Sequence, residues 1–158
     1  MPINGLSNLE IHKTLSHFSS LFGVFPSDQN PFPLIRSYPC AFVMNTSPLH
    51  EKHGGHWLAF YMISPSHLQF FDSLGCKLTE YSQIARYFDT HIQKLESNKT
   101  LQLQPPNSHL CGHYVIAFLS LRLALPKSSF TSIISYLRRI PQSRSILNLI
   151  RIRNKTIK

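Results

Sequence analysis

The sequence predicts a single α+β domain, spanning residues 1–158, in which a small sheet packs against a central buried helix. Three observations predict this fold. Short apolar runs at 40–44, 56–63 and 68–72 are typical of strands. Residues 109–125 are apolar almost all round, which is typical of a helix that is buried on every side. Eleven prolines indicate many loops and argue against a plain helical bundle.

The N-terminal region is expected to form one helix followed by a loop. Ser7 or Asn8 can cap the helix, and Gly23 is expected to end it. Between them, four apolar residues fall at helical spacing and form one stripe: Ile11, Leu15, Phe18 and Phe22. Residues 24–38 contain several prolines and are expected to form a loop.

Two of the strands are expected to form a hairpin. The runs 56–63 and 68–72 are separated by a Ser-Pro-Ser segment at 64–66, which is typical of a turn. His56 begins the first run and Asp72 ends the second. Because the start of one strand lies beside the end of its antiparallel partner, the hairpin predicts that these two side chains are neighbours.

Downstream of the hairpin, a second helix and a short strand are expected. The helix would start at Leu78 or Thr79 and end before Asn98. Its apolar face would contain four residues: Ile84, Phe88, Ile92 and Leu95. Residues 100–104 alternate in polarity, which is typical of a strand. After the buried helix, a further helix is predicted at 128–140, which Ser128 or Ser129 can cap, and another at 142–152.

Positive charge is concentrated at the C-terminal end. Residues 97–158 contain ten Lys/Arg and no acid, whereas residues 1–96 contain six Lys/Arg and seven acids. The basic helical segment at about 127–158 predicts a surface that binds a polyanion such as DNA. The alternative is a solvated basic face that only maintains solubility.

The cysteines and the apolar segments bear on the compartment. Cys40, Cys76 and Cys111 are odd in number, and the start of the chain lacks a secretory pattern. We therefore expect free thiols in a reducing, intracellular setting and not a secreted protein. The longest apolar stretch, at 114–125, contains Arg122 and is too short to cross a bilayer.

Four residues carry the candidate chemistry, and they are His56, Asp72, Gln104 and Cys111. Cys111 falls at the predicted N-terminus of the buried helix, where backbone amides and the helix dipole favour a thiolate. Gly112, beside it, is expected to leave room for a substrate backbone. A buried structural cysteine is the alternative for Cys111 taken alone.

The other three residues are expected to serve that thiolate. His56 would act as the base, Asp72 would orient its imidazole, and the Gln104 amide would bind the oxyanion together with the Cys111 amide. Each has an ordinary alternative: a surface histidine, a turn aspartate and a hydrogen-bonded strand glutamine.

A metal site is not expected. His109, Cys111 and His113 are clustered, but their spacing does not match common structural zinc patterns and the chain has no CxxC pair. The thiol chemistry also requires no cofactor.

Two motifs resemble those of the adenovirus endopeptidase (adenain) family. The strand and base motif comprises PCAFV at 39–43, NT at 45–46 and GHWLAF at 55–60. The nucleophile motif is Q-x-P-N-S-x-x-C-G at 104–112, including the seven-residue interval from glutamine to cysteine. The LCGHY variant at 110–114 is more similar to the branch encoded by Maverick/Polinton-type elements and adintoviruses.

The resemblance implies a papain-related α+β fold, also seen in SUMO proteases, with the nucleophile at the N-terminus of the central helix. It implies His56 as base, Asp72 as orienting acid, Gln104 as oxyanion donor and Cys111 as nucleophile. Adenovirus enzymes have Glu where this chain has Asp72, whereas SUMO proteases and many element-encoded relatives have Asp.

The resemblance also bears on activation. Adenovirus enzymes bond an activating peptide through a cysteine upstream of the glutamine. No cysteine lies between Cys76 and Cys111, so we do not expect that disulfide here. Activation by DNA in that family agrees with the basic segment at 127–158.

We therefore predict a monomeric cysteine endopeptidase that cleaves capsid or other virion-precursor proteins in the host nucleus or the virion. DNA, a peptide or both would be activators, and no membrane partner is expected. Three alternatives stay open: a protease for ubiquitin-like modifiers, an acetyltransferase with a Cys-His-acid site, and a nucleic-acid-binding protein with a decayed active site.

Overall fold

The structure, a computed structural model, describes residues 5–51 and 54–140. Its helices are α1 (Asn8–Leu15), α2 (Ser82–Ala85), α3 (Cys111–Ala124) and α4 (Phe130–Arg139). Its strands are β1 (Leu21–Phe25), β2 (Cys40–Asn45), β3 (Trp57–Ser64), β4 (His67–Phe71) and β5 (Lys94–Ser97). Two short 3-10 turns occur at Phe32–Leu34 and Leu78–Glu80. The helix predicted at 142–152 lies outside the described residues.

The five strands form one mixed sheet in the order β1-β2-β3-β4-β5. The three central strands are antiparallel, whereas β1 runs parallel to β2 and β5 runs parallel to β4. The predicted hairpin is confirmed, because Ala59 pairs with Phe71 and Phe60 pairs with Phe70. His56 therefore immediately precedes β3, and Asp72 immediately follows β4.

Both faces of the sheet are buried, which explains why its strands are apolar runs without polar alternation. Along β2, Ala41 and Val43 face the cluster that contains α1, α3 and α4. Phe42 and Met44 face a second cluster on the opposite side, which includes Phe88. The sheet thus forms the middle layer between the two clusters, and packing on both faces fixes the ends of its strands.

Helix α3 packs on one face of the sheet and is buried along most of its length. Its one Lys or Arg residue, Arg122, is only 2% exposed. The Arg122 guanidinium donates to the carbonyl oxygens of Ser128 at 2.6 Å and Leu125 at 2.7 Å. These bonds pair backbone carbonyl groups at and just beyond the C-terminus of α3. One of the ten C-terminal basic residues is therefore structural and does not belong to a polyanion-binding surface.

The edge strands differ from the sequence-based prediction. Helix α1 is capped by Ser7, as predicted, but it ends at Leu15. The residues predicted as its last turn form β1, because Phe22 packs against Phe42 across the parallel pair β1–β2, with ring centroids 5.3 Å apart. This contact uses the same apolar residue that the helical stripe would have used.

The second helix is also shorter than predicted, and the predicted strand at 100–104 is absent. Helix α2 ends at Ala85, and the residues predicted as the last turn of the helix form β5. In this strand Leu95 is 48% exposed. At 103–104 the backbone amides of Leu103 and Gln104 both donate to the carbonyl oxygen of Ser73. Hydrogen bonds to Ser73 therefore hold this segment, and it does not pair with a strand of the sheet.

Among the described residues, none of the helices has the length and apolar character needed to span a membrane.

Candidate active site

His56 is positioned by the loop that leads into β3. Its amide donates to the Thr46 hydroxyl at 2.8 Å, and the Thr46 amide donates to the His56 carbonyl oxygen at 2.9 Å. These two bonds continue the β2–β3 pairing by one residue. A Cβ on the preceding Gly55 would overlap the side-chain oxygens of Asn45, Thr46 and Ser47, so only glycine allows this close approach.

Asp72 is fully buried and accepts four hydrogen bonds through its carboxylate. Oδ1 accepts from His56 Nε2 at 2.5 Å and from the Leu74 amide at 2.9 Å. Oδ2 accepts from the Tyr81 hydroxyl at 2.7 Å and from the Cys76 amide at 3.1 Å. Burial alone would raise the pKa of Asp72, but these bonds and the His56 charge hold that pKa below its usual value.

The main chain of Asp72 is also fixed. Its amide donates to Asn98 Oδ1 at 3.0 Å, and Asn98 Nδ2 donates to the Asp72 carbonyl oxygen at 2.6 Å. Asn98 is a buried residue that follows β5, so its carboxamide continues the β4–β5 pairing as a strand would. The acid is therefore held through both its side chain and its backbone.

Cys111 is the first residue of α3 and is half-buried. Burial would raise the pKa of its thiol, but hydrogen bonding with His56 and with the amides of Trp57 and Gly112 lowers that pKa below the usual value. Opposite charge and amide donors both stabilise a thiolate. The position therefore favours the thiolate form of Cys111, which is the nucleophilic form.

The imidazole of His56 lies between the thiol and the carboxylate. Because its Nε2 bonds to Asp72, the other ring nitrogen, Nδ1, is left for the sulfur of Cys111. Burial would lower the pKa of His56, but its bonds to Asp72 and Cys111 raise that pKa to about 9. Between the two pKa values the site holds a thiolate paired with an imidazolium.

Gln104 reaches the same cleft from the segment that precedes α3. Gln104 is 4% exposed, and both ends of its side-chain amide are held by hydrogen bonds. Nε2 donates to the carbonyl oxygen of Ser108 at 2.7 Å, and Oε1 accepts from the Ser73 hydroxyl at 2.7 Å. The nitrogen carries two hydrogens, so the bond to Ser108 leaves one for an oxyanion.

The four predicted residues are thus not scattered: His56 bonds to Asp72, and His56, Gln104 and Cys111 line one cleft of about 570 Å³. The cleft is bounded by 54–57 on one side and by 107–109 on the other. Residues 5–7 form a further wall, which the Trp57 indole fixes by donating to the Leu6 carbonyl oxygen at 2.9 Å.

One sequence-based expectation for the site is wrong. The space beside Gly112 is filled by protein, since a Cβ there would lie 3.0 Å from Leu6 Cβ and 3.3 Å from Trp57 Cδ1. Gly112 therefore allows the N-terminal segment to pack on α3 and leaves no room for a substrate backbone. Within 5–51 and 54–140, no group of three or more His, Cys, Asp or Glu is placed to hold a metal ion.

The sequence-based reasoning missed three residues that support the site: Tyr81, Asn98 and Ser73. The Tyr81 ring also lies roughly parallel to the His56 ring, with centroids 6.4 Å apart. No local pattern points to Tyr81 or Asn98, because each meets Asp72 only in the folded chain. Ser73 had one available signal, which is that it directly follows the candidate acid.

Two solved structures are similar to this chain at low sequence identity. The central domain of the uncharacterized Lpg1148 protein from Legionella pneumophila superposes with a TM-score of 0.60 at 11% identity, covering 98% of each chain. The SUMO protease Ulp1, with its catalytic cysteine oxidized to a sulfinic acid, gives a TM-score of 0.48 at 15% identity, covering 94% of this chain and 78% of that one. The sequence matches no protein-family model and no curated protein. The first likeness shows a shared fold.

Proposed function

We propose that this protein is a cysteine endopeptidase that hydrolyses protein substrates. One observation carries the proposal: His56 Nε2 bonds to the buried Asp72 carboxylate, and His56 lines one cleft with Cys111, whose thiol pKa it lowers. Gln104 lies in the same cleft and supplies an amide donor. This is the full set of groups that acyl transfer to a thiolate requires.

The proposed reaction has two halves. The Cys111 thiolate attacks the scissile carbonyl carbon, a C–S bond forms, and the negative charge moves to the carbonyl oxygen near Gln104 and the Cys111 amide. The C–N bond then breaks as the His56 imidazolium gives its proton to the leaving amine. In the second half, neutral His56 takes a proton from water, the resulting hydroxide attacks the thioester, and the carboxylic acid leaves with the thiolate restored.

The finer assignment is a protease of virion precursors, and it is supported by the two sequence motifs at 39–60 and 104–112. Activation by DNA would use the C-terminal basic residues. Four of these, Lys99, Lys127, Arg138 and Arg139, are exposed among the described residues. A protease for ubiquitin-like modifiers would use the same four site residues, so only substrates distinguish the two.

The decisive experiment is Cys111→Ala, with Cys111→Ser as a second variant. Each is incubated with candidate capsid precursors and with SUMO and ubiquitin conjugates, with and without DNA, and the products are mapped by mass spectrometry. We expect cleavage by the wild type and no cleavage by either variant, because no other thiolate faces the cleft among the described residues. Cys40→Ala is the matched control and should retain cleavage.

Other results would redirect the assignment. Cleavage by Cys111→Ala at the wild-type rate would refute the proposal. Consumption of acetyl-CoA without proteolysis would indicate an acetyltransferase. Salt-dependent DNA binding by a protein whose Cys111 resists thiol-reactive probes would indicate a nucleic-acid-binding protein with a decayed site.

A further inference from the structure

We propose that Ser73 is a positioning residue of the oxyanion site, whose hydroxyl fixes the Gln104 amide with its nitrogen toward the reacting carbonyl oxygen. The inference rests on the proposed function and deepens it. Ser73 does not itself line the cleft, so it would act only through Gln104.

The chemistry of the two partners sets the orientation of the Gln104 amide. The Ser108 carbonyl oxygen can only accept a hydrogen bond, so the group 2.7 Å from it must be the amide nitrogen. The amide oxygen then faces Ser73, whose hydroxyl lies 2.7 Å away and donates. If the amide were turned over, two carbonyl oxygens would face each other, and the oxygen of Gln104 would repel a developing oxyanion.

Burial makes the Ser73 bond hard to replace. Ser73 is fully buried and Gln104 nearly so, so bulk water cannot satisfy Oε1 when the hydroxyl is removed. A buried acceptor without a partner is unfavourable, and the side chain would rotate to find another donor. The amide nitrogen would then be misplaced while the thiolate and the imidazole stay where they are.

The backbone ties Ser73 to both halves of the site. Ser73 follows Asp72 directly, and its carbonyl oxygen accepts from the amides of Leu103 at 2.9 Å and Gln104 at 3.0 Å. The turn after Asp72 is closed by the Gly75 amide, which donates to the Asp72 carbonyl oxygen at 2.9 Å. One dipeptide therefore holds the acid through Asp72 and the oxyanion donor through Ser73.

Two reactions of Cys111 separate these roles. With 4-nitrophenyl acetate, the thiolate forms a C–S bond at the ester carbonyl, charge develops on the carbonyl oxygen, and 4-nitrophenolate leaves. With iodoacetamide, the thiolate forms a C–S bond at a saturated carbon and iodide leaves, so no oxyanion forms. Loss of the oxyanion site should therefore slow acylation and spare alkylation.

The test compares Ser73→Ala with Ser27→Ala. Ser27 is also fully buried, and its hydroxyl also donates to a glutamine oxygen, Gln83 Oε1 at 3.3 Å, away from the cleft. We expect Ser73→Ala to lower the acylation rate by about 10-fold or more, part of the ~10²–10³-fold loss seen when an oxyanion donor is removed. Alkylation of the same variant should stay within about twofold of the wild type, and Ser27→Ala should leave both reactions unchanged.

A double-mutant cycle with Gln104→Ala completes the test. If Ser73 acts through Gln104, the double variant acylates no more slowly than Gln104→Ala alone. The inference is overturned if Ser73→Ala acylates normally, if its acylation and alkylation fall together, or if the two losses multiply. Normal acylation by Gln104→Ala would also overturn it while leaving Cys111 as the nucleophile. Normal acylation by Cys111→Ala would instead overturn the proposed function.

Discussion

Two regions of the molecule each contain a cysteine, and they shift the pKa of its thiol in opposite directions. At the start of β2, Cys40 is surrounded by apolar side chains, and burial raises its pKa to about 11. At the start of α3, Cys111 is half-buried, yet its pKa is lowered. The difference comes from His56 and two backbone amides, which stabilise negative charge more than burial opposes it. Burial therefore creates a reactive thiol only where donors and a cation are built around it.

Cys76 is a third case, in which a thiol close to the active site has a raised pKa. It lies beside the same network as Cys111, but it faces Asp72 where Cys111 faces His56. Burial and the negative charge of Asp72 raise its pKa, and its hydrogen bonding with Tyr81 only partly opposes this. The residue that each thiol faces therefore decides whether its anionic or its neutral form is stabilised.

The largest expected effect after loss of Cys111 itself comes from His56→Ala. This change removes both the proton donor and the cation beside Cys111, so cleavage should fall by about 10⁴-fold. Alkylation of Cys111 at a pH below the usual thiol pKa of 9.0 should also fall, because the Cys111 pKa would move toward that of an ordinary buried thiol. Rates of peptide cleavage and of iodoacetamide labelling measure both effects.

The matched control for that variant is His67→Ala. His67 also pairs with an acid, since its Nε2 lies 2.8 Å from Glu96 Oε2, but it does not line the cleft. Cleavage by His67→Ala should match the wild type. Equal losses in the two histidine variants would contradict the role given to His56.

The next effect is on pH dependence. Cleavage needs Cys111 deprotonated and His56 protonated, so the rate should rise with pH through a thiol pKa below the usual 9.0 and fall as pH passes the His56 pKa of about 9. Alkylation needs only the thiolate and should show the rising limb without the fall. A cleavage profile that keeps rising above pH 10 would contradict the ion pair.

The smallest expected effect comes from Cys40→Ala. Cys40 packs within an apolar cluster and has no role in the cleft, so its loss should cost about 1 kcal/mol of unfolding free energy and no activity. Urea unfolding measures the first and peptide cleavage the second. A loss of cleavage in a folded Cys40→Ala variant would break the distinction between the two regions.

The elements that the sequence predicts well are those whose partners are close along the chain. The hairpin β3–β4 needs only two apolar runs and a turn, and it brings His56 to Asp72. The caps of α1 and α4 were likewise visible as Ser7 and Ser129, each of which accepts a hydrogen bond from the first turn of its helix.

The sequence predicts poorly those elements that form only through contacts with partners distant along the chain. Phe22 and Leu95 fall at helical spacing, but each lies in an edge strand that exists because a central strand is available for parallel pairing. The sequence does not indicate the roles of Tyr81 and Asn98 for the same reason. Their contacts with Asp72 depend on how the chain returns to the end of β4, which no local pattern specifies.

The glycine before the base has a practical consequence for recognising other chains of this kind. Since three oxygens fill the space where a side chain at Gly55 would sit, substitution there should be among the least tolerated in a saturation mutagenesis survey, even though the residue has no chemistry of its own. A search profile for distant relatives should therefore weight the Gly-His pair as a unit, since histidine alone is too common to discriminate.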